Sequence, residues 1–148
     1  MREVVIASAA RTPVGAFNGS LSSVPASYLG TVAVKEALKR AKTDAGDVDE
    51  VILGQILTAG TGQNPARQAA VDAGIPVEAT AVQVNQLCGS GLRTVAMGMQ
   101  SIKLGDTDVI VAGGQESMSQ APNCAHLRNG QKMGDLSFID TMIKDGQW

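Results

Sequence analysis

Four short apolar runs, at residues 4–9, 51–57, 80–84 and 109–112, alternate with three stretches of helical period along the first three quarters of the chain. The runs are apolar on both faces, the signature of strands covered on both sides in a parallel sheet. Between the first two, Leu29, Ala33, Val34, Ala37, Leu38 and Ala41 recur at helical spacing, with Lys35, Glu36, Lys39 and Arg40 on the other side. Asn64-Pro65 supplies a cap and a first-turn proline for a short second helix to Ala73, which Gly74-Ile75-Pro76 closes. A third helix carries Leu92, Val95, Ala96, Met99 and Ile102 on one face and stops at Gly105. The order β-α-β-α-β-α-β predicts an α/β fold: a doubly wound, mainly parallel sheet with helices on both faces and right-handed crossovers. After Gly113-Gly114 the pattern decays, leaving one short helix predicted at residues 136–144.

The third run delivers the chain to Asn85-Gln86-Leu87-Cys88-Gly89-Ser90-Gly91. That stretch reads as strand end, tight turn and helix start. A cysteine there sits at the positive end of a helix dipole, beside amides with no helical acceptor, and both effects favour a thiolate. Gly89 and Gly91 let a reactant approach the sulfur. Cys88 is therefore the candidate nucleophile. In an open α/β sheet, functional groups collect at the carboxyl ends of the strands, which makes the segment from Gly113 to Ser119 its expected neighbour.

Composition narrows the classes without naming the chemistry. Of 148 residues, 44% are hydrophobic, and 12 basic residues against 14 acidic ones give a net charge of -2. The charges are scattered, which argues against a nucleic-acid partner. Aromatics make up only 3%, so small aliphatics, glycine and methionine must fill a close-packed core. No apolar run approaches the length of a membrane span, and the first run is too short for a signal peptide, so a cytoplasmic protein with reduced thiols is expected.

Other motifs carry less. Cys124 reads as a small buried hydrophobe, and His126 beside it is too little for a metal site, so no metal is expected. Gly89-Ser90-Gly91-Leu92-Arg93-Thr94, with Asp108 further on, imitates a dinucleotide fingerprint, but Thr94 stands where the third glycine belongs. A hydrolase elbow needs glycine two positions to either side of its serine, where Ser90 has Cys88 and Leu92. Met97, Met99 and Met118 read by themselves as gap fillers.

Taken together, four motifs resemble the thiolases, in their short-chain, biosynthetic form. They are Ala9-Ala10-Arg11-Thr12-Pro13, Gly62-Gln63-Asn64-Pro65-Ala66-Arg67-Gln68, Asn85 through Leu92, and Gly113-Gly114-Gln115-Glu116-Ser117-Met118-Ser119. The resemblance runs over the whole chain. It implies a thiolase-like N-terminal domain over residues 1–119, lacking its last strand, and the start of a loop domain over residues 120–148. It implies ping-pong acyl transfer in which Cys88 attacks a coenzyme A thioester and carries the acyl group. The substrates implied are acetyl-CoA, acetoacetyl-CoA and CoA, with no other cofactor. The Cys88 N–H would help hold the oxyanion. Supporting roles fall on Asn85, Gly89, Ser90, Gly91, Gly114, Glu116 and Met118.

The resemblance further implies a homodimer or homotetramer. Residues 80–84 would pair across a two-fold axis, Gln63, Asn64 and Arg67 would lie near the partner's site, and residues 127–134 would belong to a tetramer-forming loop. A full thiolase is well over twice this length. Its later half carries a histidine, a second cysteine and an asparagine of the catalytic set, so this chain is expected to be an N-terminal fragment and inactive alone. A ketoacyl-synthase-type condensing enzyme and a non-catalytic nucleotide- or CoA-binding module are the alternatives.

Overall fold

The computed structural model describes residues 2–147. Its centre is a three-stranded parallel sheet of order β2-β1-β3, built from β1 (Glu50–Gly54), β2 (Thr80–Val84) and β3 (Ile110–Gly114). Central β1 is the most buried strand, with Val51, Ile52 and Leu53 all but removed from solvent. Helix α1 (Ala26–Ala41) and helix α2 (Pro65–Asp72) pack together on the face that Val51 and Leu53 present. Helix α3 (Ser90–Leu104) covers the opposite face, where Ile110 and Ala112 meet Gly98. The sheet is thus parallel with helices on both faces, as predicted, but burial on both faces holds for β1 alone: β3 is half-buried as far as Gly113, and Thr80 and Val82 of the edge strand β2 are exposed.

Local chemistry sets the helix ends. In α1, Lys42 adopts a left-handed conformation and its N–H reaches the Leu38 and Lys39 carbonyls, while Lys39 and Arg40 in the last turn oppose the dipole. Asn64 caps α2, its side-chain oxygen accepting the Arg67 N–H at 3.1 Å, and Pro65 follows in the first turn. The inward side of α2 is Ala66, Ala69 and Ala70, small enough to let α1 come close.

At the opposite edge of the sheet, Asp49 ties the strand starts together. Its carboxylate accepts the N–H groups of Asp108 and Val109 at 2.7 and 2.9 Å, and its carbonyl accepts Thr80 N–H. The bonds from Val109 and then Asp108 hold the Asp49 carboxyl below the ordinary aspartate range. A depressed folded-state value means the contribution is present above the unfolded value and lost as pH falls through the folded one. Asp49→Asn should therefore lower the urea midpoint at pH 7, and the difference from wild type should close as the pH falls through the folded-state value. A constant difference between the two midpoints across that range would contradict this.

Three expectations need correction. Residues 4–9 do not form a strand: the segment is extended, with Val5 74% and Ile6 78% exposed. Apolar β-formers set a preference, but a strand needs a neighbour to complete its ladder, and none lies alongside among the described residues. The segment is held instead by an Arg2–Asp108 ion pair, by the Ser8 hydroxyl donating to the Ala37 carbonyl, and by Arg40 donating to the Ala9 carbonyl.

The inner face of α3 also differs. Ser90, Thr94 and Gly98 face the sheet, whereas the apolar stripe turns outward, with Leu92 79% exposed and Val95 and Met99 well exposed. Small residues let the helix approach the sheet closely. The Thr94 hydroxyl is satisfied by the Gly91 and Gly113 carbonyls at 2.7 and 2.9 Å.

Finally, no α-helix spans residues 136–144. Ile139–Asp140 (β5) pairs antiparallel with Asn123–Cys124 (β4), and only a π-helical turn, Met142–Gln147, follows. Asp140 accepts the N–H groups of Met142 and Ile143, and the Thr141 hydroxyl donates to the Pro122 carbonyl, so helical geometry begins only after β5. Among the described residues no helix is long and apolar enough to cross a membrane.

Candidate active site

The turn from β2 into α3 is built by side chains on either side of Cys88. Asn85 accepts the Leu87 N–H at 3.0 Å, and Leu87 takes the left-handed conformation with φ 49°. An Asx turn of this kind offsets the strain of a non-glycine residue there. The Ser90 hydroxyl accepts the Gln86 N–H at 2.8 Å and donates to the Leu87 carbonyl at 2.5 Å. Cys88 is exposed, one residue before the Gly89 cap of α3. The first-turn amides of the helix have no helical acceptor and point toward that end.

Glycines let this turn sit on the sheet. A Cβ on Gly54 would lie 2.5 Å from Ser90 Cβ, and one on Gly114 would lie 3.4 Å from Gly91 Cα. The strand ends Gly54 and Gly114 are paired in register. A cavity of about 610 Å³ opens over them, lined by Cys88, Leu87, Glu116, Met118 and the loop around Phe17. That volume is in the range of small-molecule sites. Asn85, Gly89, Ser90, Gly91, Gly114, Glu116 and Met118 therefore cluster around or beside Cys88.

The other predicted residues are used differently. Asn64 donates to the Ala81 carbonyl at 2.9 Å, and the Arg67 guanidinium donates to the carbonyls of Val77 and Ala79. The Gln63 carbonyl accepts from Gln68. Asn64 and Arg67 thus tie α2 to β2 and its approach, Gln63 is bonded to α2 itself, and all three lie outside the Cys88 cavity. Among the described residues no cluster of His, Cys, Asp and Glu has the makings of a metal centre.

A polar cluster behind the cavity was not foreseen as such. Gln55 is buried at the end of β1, where its amide donates to the Leu57 carbonyl at 2.8 Å and accepts from Gln115 Nε2 at 2.8 Å. Gln115 Oε1 sits against Gly30 of α1, 1.8 Å from where a Cβ would stand. Glu116 Oε2 accepts the N–H groups of Ile56 and Leu57 at 2.8 and 3.3 Å. Burial pushes the Glu116 carboxyl up, against the pull of the backbone N–H groups of Ile56, Leu57 and Ser117. The available signal was a glutamine closing an otherwise apolar strand, with Gln-Glu closing another.

An exposed cysteine in a turn of this construction, on a parallel sheet with helices on both faces, fits a thiolase-type N-terminal domain, and the thiolase N-terminal domain family matches residues 4–148. The chain belongs to the thiolase family. It is 67% identical over 143 residues to the acetyl-CoA acetyltransferase of Rhizobium meliloti, covering 97% of this chain and 36% of that one. It is 57% identical over 148 residues to that of Paracoccus denitrificans, covering 100% and 38%. The crystal structure of Acat5 thiolase from Ascaris suum in complex with coenzyme A superposes with a TM-score of 0.91 at 39% identity, over 95% of this chain and 37% of that one. The chain therefore spans little more than a third of the length of these relatives.

Proposed function

We propose that this chain is the nucleophile-bearing part of an acetyl-CoA C-acetyltransferase. The carrying observation is Cys88, exposed at the head of α3 over a cavity at the carboxyl edge of the sheet. Its sulfur attacks the thioester carbonyl of acetyl-CoA or the 3-keto carbonyl of acetoacetyl-CoA, and a new carbon–sulfur bond forms. In the first case the bond to the CoA sulfur breaks and CoA departs as the thiol once protonated; in the second the C2–C3 bond breaks and acetyl-CoA departs once its enolate is protonated. The acetyl-cysteine then passes its acyl group to the enolate of a second acetyl-CoA, or back to CoA in thiolysis. No cofactor beyond the thioesters is required.

The names of the relatives support CoA thioesters as substrates, and two mammalian relatives described as cytosolic support a cytoplasmic setting. We include in the proposal a homodimer or homotetramer, with the free outer edge of β2 as the pairing edge, and a change of domain near residue 119. The test is intact mass after brief exposure to acetoacetyl-CoA. It is run on the chain alone and on a polypeptide continuing it with the remaining length of the Rhizobium meliloti relative. One acetyl group on Cys88 in the longer form, and no turnover by the shorter, is expected; labelling of Cys88 in neither sinks the proposal.

A further inference from the structure

We propose that Glu116 is a positioning residue for acyl transfer: its carboxyl group fixes the main chain at Ile56 and Leu57, so that Ile56 stands as one wall of the cavity that holds Cys88. The inference rests on the acyl-CoA reading above. The last backbone rung between β1 and β3 is Gln115 N–H to the Gly54 carbonyl, at 2.9 Å. Beyond it the two chains part, and Glu116 takes over with a side chain, capturing the next two free amides of the departing strand. Both polar backbone groups of Leu57 are thereby held, the N–H by Glu116 and the carbonyl by Gln55. Gln55 is fixed in turn by Gln115, which is seated on Gly30.

The wall is continuous with the nucleophile. Ile56 and Glu116 line the same cavity as Cys88, and Gly54, two residues before Ile56, bears the start of α3. A displacement at residues 56–57 therefore changes the space facing the sulfur without touching the turn that presents it. Glu116 is also an expensive way to hold two amides. Its Oε1 is buried with no hydrogen-bond partner among the described residues, and burial disfavours its charged form. Stability alone would favour a group that leaves no such orphan.

The test compares two electrophiles on Cys88, read by intact mass and peptide mapping of the polypeptide extended with the remaining length of the Rhizobium meliloti relative and of its Glu116→Ala and Glu116→Gln forms. Iodoacetamide is small and meets only the exposed sulfur. Bromoacetyl-CoA must seat its thioester in the cavity before the sulfur displaces bromide. In Glu116→Ala the rate with bromoacetyl-CoA, relative to iodoacetamide, is expected to fall about tenfold or more. Glu116→Gln should recover the ratio, because its amide oxygen can accept the same two N–H groups. An unchanged ratio in Glu116→Ala overturns the inference, as does a Glu116→Gln chain as impaired as the alanine form. Equal slowing with both reagents also overturns it, because the whole fold is then affected. An unsubstituted extended polypeptide showing no preference for bromoacetyl-CoA would instead overturn the acyl-CoA reading on which this rests.

Discussion

The Gly54→Ala chain is expected to be destabilised by about 3 kcal/mol, the upper range for overpacking a core. Its added methyl carbon would stand 2.5 Å from Ser90 Cβ, 2.8 Å from Ser90 C and 2.9 Å from Gly91 N. Two of those three atoms belong to the backbone of α3, so no rotamer change relieves the clash. Nor can the strand retreat, because β1 is paired on both sides and its neighbours Leu53 and Gln55 are buried. The relief left is to lift the head of α3, which moves Cys88 with it. Urea unfolding measures the loss of stability, and the iodoacetamide rate at Cys88 reports the displacement. Gly46→Ala is the control, since its methyl would meet only the Asp44 carboxylate at 3.4 Å. Equal unfolding midpoints for the two variants would refute the packing argument.

Cys88→Ser separates chemistry from fold in the opposite way. Cys88 is exposed, and the turn is held by bonds from Asn85 and Ser90 to the main chain of residues 86 and 87. The unfolding midpoint should therefore match wild type, as surface substitutions stay within about 0.5 kcal/mol. A serine hydroxyl, without an activating base, is a far poorer nucleophile at neutral pH. In the polypeptide extended to the length of the relatives, acetoacetyl-CoA thiolysis should drop on the order of 10⁴-fold or more. The acetyl adduct should be absent by intact mass. Activity within tenfold of wild type would remove Cys88 from the acyl-carrying role.

Much of this arrangement is legible in the residues. Apolar runs locate β1, β2 and β3, and cap chemistry at Asn64 and Gly105 bounds two helices, because both signals are local. The Asn-Gln-Leu-Cys-Gly-Ser-Gly turn is legible for the same reason. Failures come where the deciding partner is remote or where size outranks polarity. Val4, Val5 and Ile6 have the preference for a strand but not the neighbour. In α3 a count of apolar positions selects Leu92, Val95 and Met99, whereas the sheet admits Ser90, Thr94 and Gly98, whose merit is small volume. Glu116 was picked out by resemblance, yet its bonds to Ile56 and Leu57 span some 60 positions of sequence, and no periodicity reports them.

The way Asn85 and Ser90 close the turn has a consequence for how chemistry is inherited in such a fold. None of these three bonds uses the side chain at position 88, and none depends on what that side chain is. Sulfur is a passenger on this peg. Selection can exchange or retire the reactive group without first dismantling the support. The same support can thus persist in a descendant that has abandoned catalysis, and the turn by itself is a record of ancestry more than of activity.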